Sequence, residues 1–184
     1  MASWASLAPG LTVMRATALF LTILLCATGA QASGQQALMQ RGAVQRLVLV
    51  EARNMGIPPA LTLAVAHAES DFNPTVRSHK GARGVMQIMP RTAWEEYGIT
   101  PGQLWQPRLN IRLGLHFLRR LLHRYRGRTD LALSYYNGGS AVGDLPRAQI
   151  IPATYPYVRK VRKLRLNYRQ QIRTGQIHMG AYDE

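Results

Sequence analysis

The sequence predicts a mainly α fold with few or no strands. Three observations carry this. Apolar residues return at helical spacing in several windows, glycine and proline separate those windows, and no two alternating segments read as a strand pair.

The elements follow in order. Leu38, Val44, Leu47, Val48, Val50 and Met55 mark a helix over residues 36–54, stopped by Gly56. Pro58-Pro59 open a second helix, Pro59 to Ser70, because proline is tolerated in a first turn. Its Ala60, Ala64, Ala66 and Ala68 allow close approach of neighbouring elements. Residues 71–83, with Asn73-Pro74 and Gly81, read as a loop. A short apolar run from Gly84 to Met89 ends at Pro90, and Arg91 to Tyr97 forms a short helix stopped by Gly98. Residues 99–106 contain Pro101-Gly102 and read as a turn. Leu109, Leu113, Phe117, Leu118, Leu121 and Leu122 build a helix over Pro107 to Tyr125, closed by Gly127. Asp130 or Thr129 is expected to cap a helix through Tyr136, which Gly138-Gly139 ends. Residues 140–153 are irregular, and a basic helix runs from Tyr157 to about Ile172. Trp94 and Trp105 are expected in the core, although either can stack on a sugar.

A length of 184 residues suggests one domain with extensions. Arg15, the apolar run Ala16 to Ala30 and the small-x-small triplet Ala30-Gln31-Ala32 have the order of a secretory signal peptide, residues 1–32. An uncleaved inner-membrane anchor is the alternative, and Met14 is an alternative start. The single cysteine, Cys26, lies inside the apolar run. Leu25 before it is not the small residue of a lipoprotein site, so no lipid anchor is expected. Cleavage after Ala32 leaves a chain without cysteine, which excludes disulfides and thiol catalysis. The formal net charge of +14 favours polyanionic partners: nucleic acid, anionic membrane surfaces or acidic polymers. Export argues against nucleic acid, and no recognition helix can be placed. His67, His79, His116, His123 and His178 form no tight metal-ligand cluster, so neither metal nor cofactor is expected.

Glu69 is the one acidic residue of its helix and sits at the C-terminal end. The helix dipole is negative there, and a low-polarity neighbourhood adds to its effect; both raise a carboxyl pKa. A carboxylic acid that stays protonated near neutral pH is what glycosidic cleavage requires of its general acid. An ordinary exposed glutamate at a helix end is the alternative.

Three ordered motifs then bear on Glu69. Ala68-Glu69-Ser70-Asp71-Phe72-Asn73-Pro74 is followed by Gly84-Val85-Met86-Gln87-Ile88-Met89-Pro90 and then by Tyr135-Tyr136-Asn137-Gly138-Gly139. Over about Gly56 to Val161 the chain resembles the soluble lytic transglycosylase family. The resemblance implies a lysozyme-like helical domain with a substrate groove over residues 56–172, preceded by an N-terminal helix over 33–55 and followed by a tail over 173–184. It implies cleavage of the bond between N-acetylmuramic acid and N-acetylglucosamine in peptidoglycan, without water and with a 1,6-anhydro product. Glu69 would act as acid and then as base. Ser70, Met86, Gln87, Tyr136, Asn137 and Tyr157 would contact the substrate or orient Glu69.

The residues leave other roles open: a hydroxyl cap for Ser70, core packing for Met86, a helix cap for Asn137, and core or groove for Tyr135, which stands where the family usually has alanine. Only nine acidic residues are present, and a hydrolase needs two carboxylates. Asp71 lies two positions from Glu69 and would point away on a continued helix, and Asp144 lies in a Gly/Pro-rich loop. The segment Ile151-Pro152-Ala153-Thr154-Tyr155-Pro156-Tyr157-Val158 departs from the family by carrying Ala153 in place of a glutamate. Three readings compete with the transglycosylase: a lysozyme-type muramidase, an inactive wall-binding component of a secretion or conjugation machine, and a basic nucleic-acid binder. Export by the signal peptide implies a periplasmic location, and a monomer is expected.

Overall fold

The computed structural model describes residues 36–178. The chain divides into two units, Met1–Gln40 and Arg41–Glu184. Of the first, residues 36–40 are described and are helical. The expected signal peptide and residues 179–184 of the expected tail lie outside the described residues. No helix among the described residues is long and apolar enough to cross a membrane.

Six α-helices account for most of the described chain: α1 (36–54), α2 (Pro59–Ser70), α3 (Pro90–Tyr97), α4 (Pro107–Arg124), α5 (Thr129–Gly138) and α6 (Tyr155–Arg173). Short 3-10 turns at Gln103–Trp105, Ser140–Val142 and Pro152–Thr154 join the later helices. The only β pairing among the described residues is two isolated antiparallel bridges, Arg77 with Arg83 and Arg83 with Ile88. The mainly α expectation therefore holds.

Helix α2 is apolar around its circumference, and Ala60 through Ala66 are all buried. Its alanines let α6 pack along it, while α5 packs on both α4 and α6. Thr62 sits in this core with its hydroxyl donating to the Pro59 carbonyl at 2.8 Å, so no polar atom is left unpaired there. Glu51, 2 % exposed, is held by Arg108 Nε at 2.7 Å and Arg112 Nε at 3.6 Å, both reaching across from α4.

Helix α4 turns Asn110, Ile111, Leu113, Gly114, Leu115, Leu118 and Leu121 inward. Gly114 is there because Met86 presses against it: a Cβ would lie 2.4 Å from the Met86 Cβ. Asn110 clamps the same loop. Its Oδ1 accepts the Met86 N–H at 2.8 Å, and its Nδ2 donates to the carbonyls of Arg83 at 2.8 Å and Leu104 at 3.1 Å. Gly84, at φ +74°, is required by both backbone and space, since a Cβ would lie 2.6 Å from Asn110 Nδ2.

Three expectations are corrected. Trp94 and Trp105 are not core; they are 60 % and 38 % exposed, and the Arg83 guanidinium lies over the Trp105 ring at 5.3 Å. Neither Thr129 nor Asp130 caps α5. The helix already begins at the Arg128 carbonyl, which accepts from Leu131 N and Ala132 N, so Asp130 falls in the first turn and pairs with Arg162 of α6 at 3.5 Å. Helix α6 starts at Tyr155, two residues early, because Pro156 is accommodated in its first turn.

Replacing an unhindered helical glycine by alanine gains about 1 kcal/mol. At Gly114 the clash with Met86 reverses the sign. Gly114→Ala is expected to lose about 1–3 kcal/mol in urea unfolding; a stabilised variant would show that the loop does not press on α4.

Candidate active site

Glu69 occupies the last turn of α2, which ends at Asp71 in a left-handed conformation, φ 50°. The cation at this helix end is Lys160, whose Nζ donates to the Ala68 carbonyl at 2.8 Å. The Glu69 carboxyl accepts a 2.5 Å hydrogen bond from the Tyr157 hydroxyl. Burial pushes its pKa up from 4.5 to about 7, against smaller opposing effects of the Tyr157 hydrogen bond and the Lys160 charge. The physical cause is therefore mainly desolvation.

Every other described acidic side chain has a guanidinium partner: Glu51 with Arg108, Asp71 with Arg41, Glu95 with Arg91, Glu96 with Arg120, Asp130 with Arg162 and Asp144 with Arg124. Glu69 alone among them is held by a neutral hydroxyl. Asp71 is 61 % exposed and also lies 3.4 Å from His67 Nε2, and Asp144 is 73 % exposed.

The second and third motifs assemble around this carboxyl. Ser70 Oγ donates to the Val85 carbonyl at 2.8 Å, tying the end of α2 to the loop before α3, and lies 3.4 Å from the Ala66 carbonyl of its own helix. Met86 has no exposed surface, so its side chain offers nothing to a ligand and its part in the site is through its backbone. The Met86 carbonyl accepts the Tyr136 hydroxyl at 2.9 Å. The phenol that reaches Glu69 is thus Tyr157, while Tyr136 is spent on the loop. Burial, and then the nearby Glu69 charge, push both phenols well above their ordinary pKa and keep them neutral donors.

Gln87 adopts φ 49°, and its amide donates to the carbonyls of Gly84 at 2.9 Å and Val76 at 3.1 Å. Both amide donor bonds of Gln87 are thus made within the protein, and not to Glu69. Gln87, Tyr136 and Asn137 line a cleft of about 320 Å³ together with Tyr97, Phe117 and Tyr135. Tyr135 lines this cleft and also packs on Phe117 and the buried Tyr125, so it serves groove and core together. Glu69 is not among the cleft-lining residues; Tyr136, which lines the cleft, lies within electrostatic reach of its carboxyl.

The altered segment at Ala153 is a 3-10 turn anchored by residues that sequence reasoning passed over. Ser134 Oγ and Thr154 Oγ1 are 2.7 Å apart in the interior, Ser134 Oγ accepts the Ile151 N–H at 3.0 Å, and Thr154 Oγ1 donates to the Ile151 carbonyl at 2.8 Å. Ala153 itself is exposed. Asn110 was also passed over, although a polar residue at a core position of an amphipathic helix is a visible signal. His67 is structural: its Nδ1 lies 2.8 Å from the Tyr168 hydroxyl, and burial lowers its pKa. No cluster of potential metal ligands occurs among the described residues.

Such a carboxyl can donate a proton near neutral pH and take one back. The chain belongs to the transglycosylase SLT domain family, whose profile matches residues 46–145. It is 36 % identical over 90 residues to the soluble lytic murein transglycosylase of Escherichia coli K12, covering 45 % of this chain and 14 % of that protein. It is 40 % identical over 84 residues to the transglycosylase of Enterobacteria phage PRD1, covering 46 % and 30 %. Among solved structures, the lytic transglycosylase Slt of Pseudomonas aeruginosa, an inactive mutant, superposes with a TM-score of 0.59 at 29 % identity over 68 % of this chain and 24 % of that one. The 70 kDa enzyme of E. coli gives 0.59 at 30 %, over 67 % and 24 %. The chain thus spans between 14 % and 30 % of the length of these relatives.

The raised pKa links the site to stability. Glu69 binds its proton more tightly folded than unfolded, so its contribution is complete below about pH 4.5 and is lost as pH rises through about 7. Glu69→Gln does not titrate. The stability of this variant relative to the parent should therefore improve by about 3 kcal/mol between about pH 4.5 and 8 and then level off. A difference that stays flat with pH, in paired denaturation curves, would contradict a carboxyl held neutral by burial.

Proposed function

We propose that this chain is a peptidoglycan lytic transglycosylase, cleaving the β-1,4 bond between N-acetylmuramic acid and N-acetylglucosamine with Glu69 as acid and then base. The observation that carries the reading is the state of Glu69: buried, in no ion pair, held by the Tyr157 hydroxyl and with its pKa raised to about 7. Family membership and relatives named as murein transglycosylases support the substrate class.

In the first step the Glu69 proton moves to the glycosidic oxygen and the bond from that oxygen to muramic acid C1 breaks. The resulting carboxylate then takes the proton of the muramic acid C6 hydroxyl, whose oxygen bonds to C1. Glu69 ends protonated, no water is consumed, and the product carries a 1,6-anhydro ring. Tyr157, donating to one carboxylate oxygen, leaves the other free to carry the moving proton and supports the ionised form between the two steps. Gln87, Asn137 and Tyr135 are the cleft residues placed to meet sugar, and Ser70, Met86 and Tyr136 act by holding the loop that presents Gln87. Hydrolysis by a muramidase needs a second carboxylate to activate water, and the described candidates are all engaged by arginine. The site of action is the wall outside the inner membrane.

Mass spectrometry of muropeptides released from purified sacculi tests this: anhydro ends are expected, and reducing ends would replace the reading with hydrolysis. Glu69→Gln is expected to lower the rate about 10²–10⁴-fold. The parent rate should fall as pH rises through about 7, as the acid form is lost. Tyr157→Phe removes a hydrogen bond that lowers the Glu69 pKa, so its alkaline limb should move to higher pH; an unmoved limb would remove Tyr157 from the site.

A further inference from the structure

Helix α6 contains Arg159, Lys160, Arg162, Lys163, Arg165, Arg169 and Arg173 and no acidic residue. At about 100° per residue it has a core side and an outer side, with half-buried Arg165 falling among the core-facing positions. Val158, Val161 and Tyr168 turn into the core, with Tyr157 on that side meeting Glu69. On the opposite side Tyr155, Arg159, Arg162, Leu166, Arg169 and Arg173 form one exposed stripe, flanked by Lys163. Among the described residues Arg162 alone in this stripe has a carboxylate partner, Asp130 at 3.5 Å. Leu166 is 64 % exposed at the middle of the stripe, and Tyr155 is 47 % exposed at its end.

A solvated basic face has no use for an apolar side chain at its centre. Neither has a face that only gathers a soluble polyanion. Cations surrounding an exposed leucine, with an amphipathic tyrosine at one end, match a surface where negative charge overlies hydrocarbon. We propose that the outer face of α6 docks on an anionic phospholipid bilayer, with Arg159, Lys163, Arg169 and Arg173 at the headgroups and Leu166 entering the acyl boundary. The stripe is about 27 Å long, enough to lie along a membrane plane. Because Tyr157 projects from the other side of the same helix, docking leaves the catalytic side free to meet the wall.

The test is sedimentation of the full-length protein with vesicles of phosphatidylcholine alone and of phosphatidylcholine and phosphatidylglycerol in equal parts. Binding is expected only with phosphatidylglycerol and should weaken as salt is raised. Each lost cation costs about fivefold, so Arg159→Gln/Lys163→Gln/Arg169→Gln should bind roughly a hundredfold more weakly. Leu166→Ser should weaken vesicle binding several-fold while leaving binding to soluble poly-glutamate unchanged. All substituted positions are exposed, and cleavage of soluble glycan fragments should persist in both variants, which separates this result from the chemistry of Glu69. Vesicle binding that survives the triple substitution would overturn the proposal. So would a Leu166→Ser variant that binds vesicles as tightly as the parent, since the face would then be a general polyanion surface.

Discussion

A carboxyl group withdrawn from water with no cation to balance it must be kept neutral or must be held by donors that tolerate both its forms. Glu69 meets this constraint with burial and a single phenol. Around it no ion pair forms: the remaining described acids are drawn to the surface or to arginines, and the nearby Lys160, whose charge only partly opposes the effect of burial, spends its ammonium on a helix-end carbonyl. The same desolvation that makes the group a usable acid makes its ionised form unfavourable to the fold. Function and stability therefore pull in opposite directions at one atom pair.

The loop facing Glu69 is shaped by polar groups buried in the wrong-looking places. Asn110 satisfies three backbone groups from inside α4, Tyr136 satisfies a fourth from α5, and Ser70 ties in the end of α2. Removing any of these partners would strand a backbone group in a dry interior, which is more costly than the bond itself is worth. The loop thus derives its shape from three different helices, and Gln87 is held at a positive φ as a result.

Helix positions were readable because glycine and proline mark them and because burial imposes a period on leucine and alanine. Glu69 was readable from the ordered motifs around it. What the sequence concealed were pairings between distant residues: Ser134 with Thr154, Asn110 with Met86, and the exchange of roles between Tyr136 and Tyr157. Spacing says which face of a helix a tyrosine occupies, but not which of two oxygens its hydroxyl will find. The tryptophans misled for a related reason. Their size suggests core, yet the buried aromatic rings are those of Phe72, Tyr125 and Tyr168, while both indoles are exposed.

Glu51 lies far from the cleft, yet it sets a registration mark for the whole assembly. Its carboxyl takes Arg108 and Arg112, one turn apart on α4. Sliding α4 by a turn, about 5.4 Å, would bring a different pair of side chains to the buried charge and leave it without its match. Asn110 sits between those two arginines. Fixing the axial position of α4 therefore also fixes the height at which Asn110 meets the Met86 amide, so a charge on α1 works as a detent for a loop on the opposite side of α4.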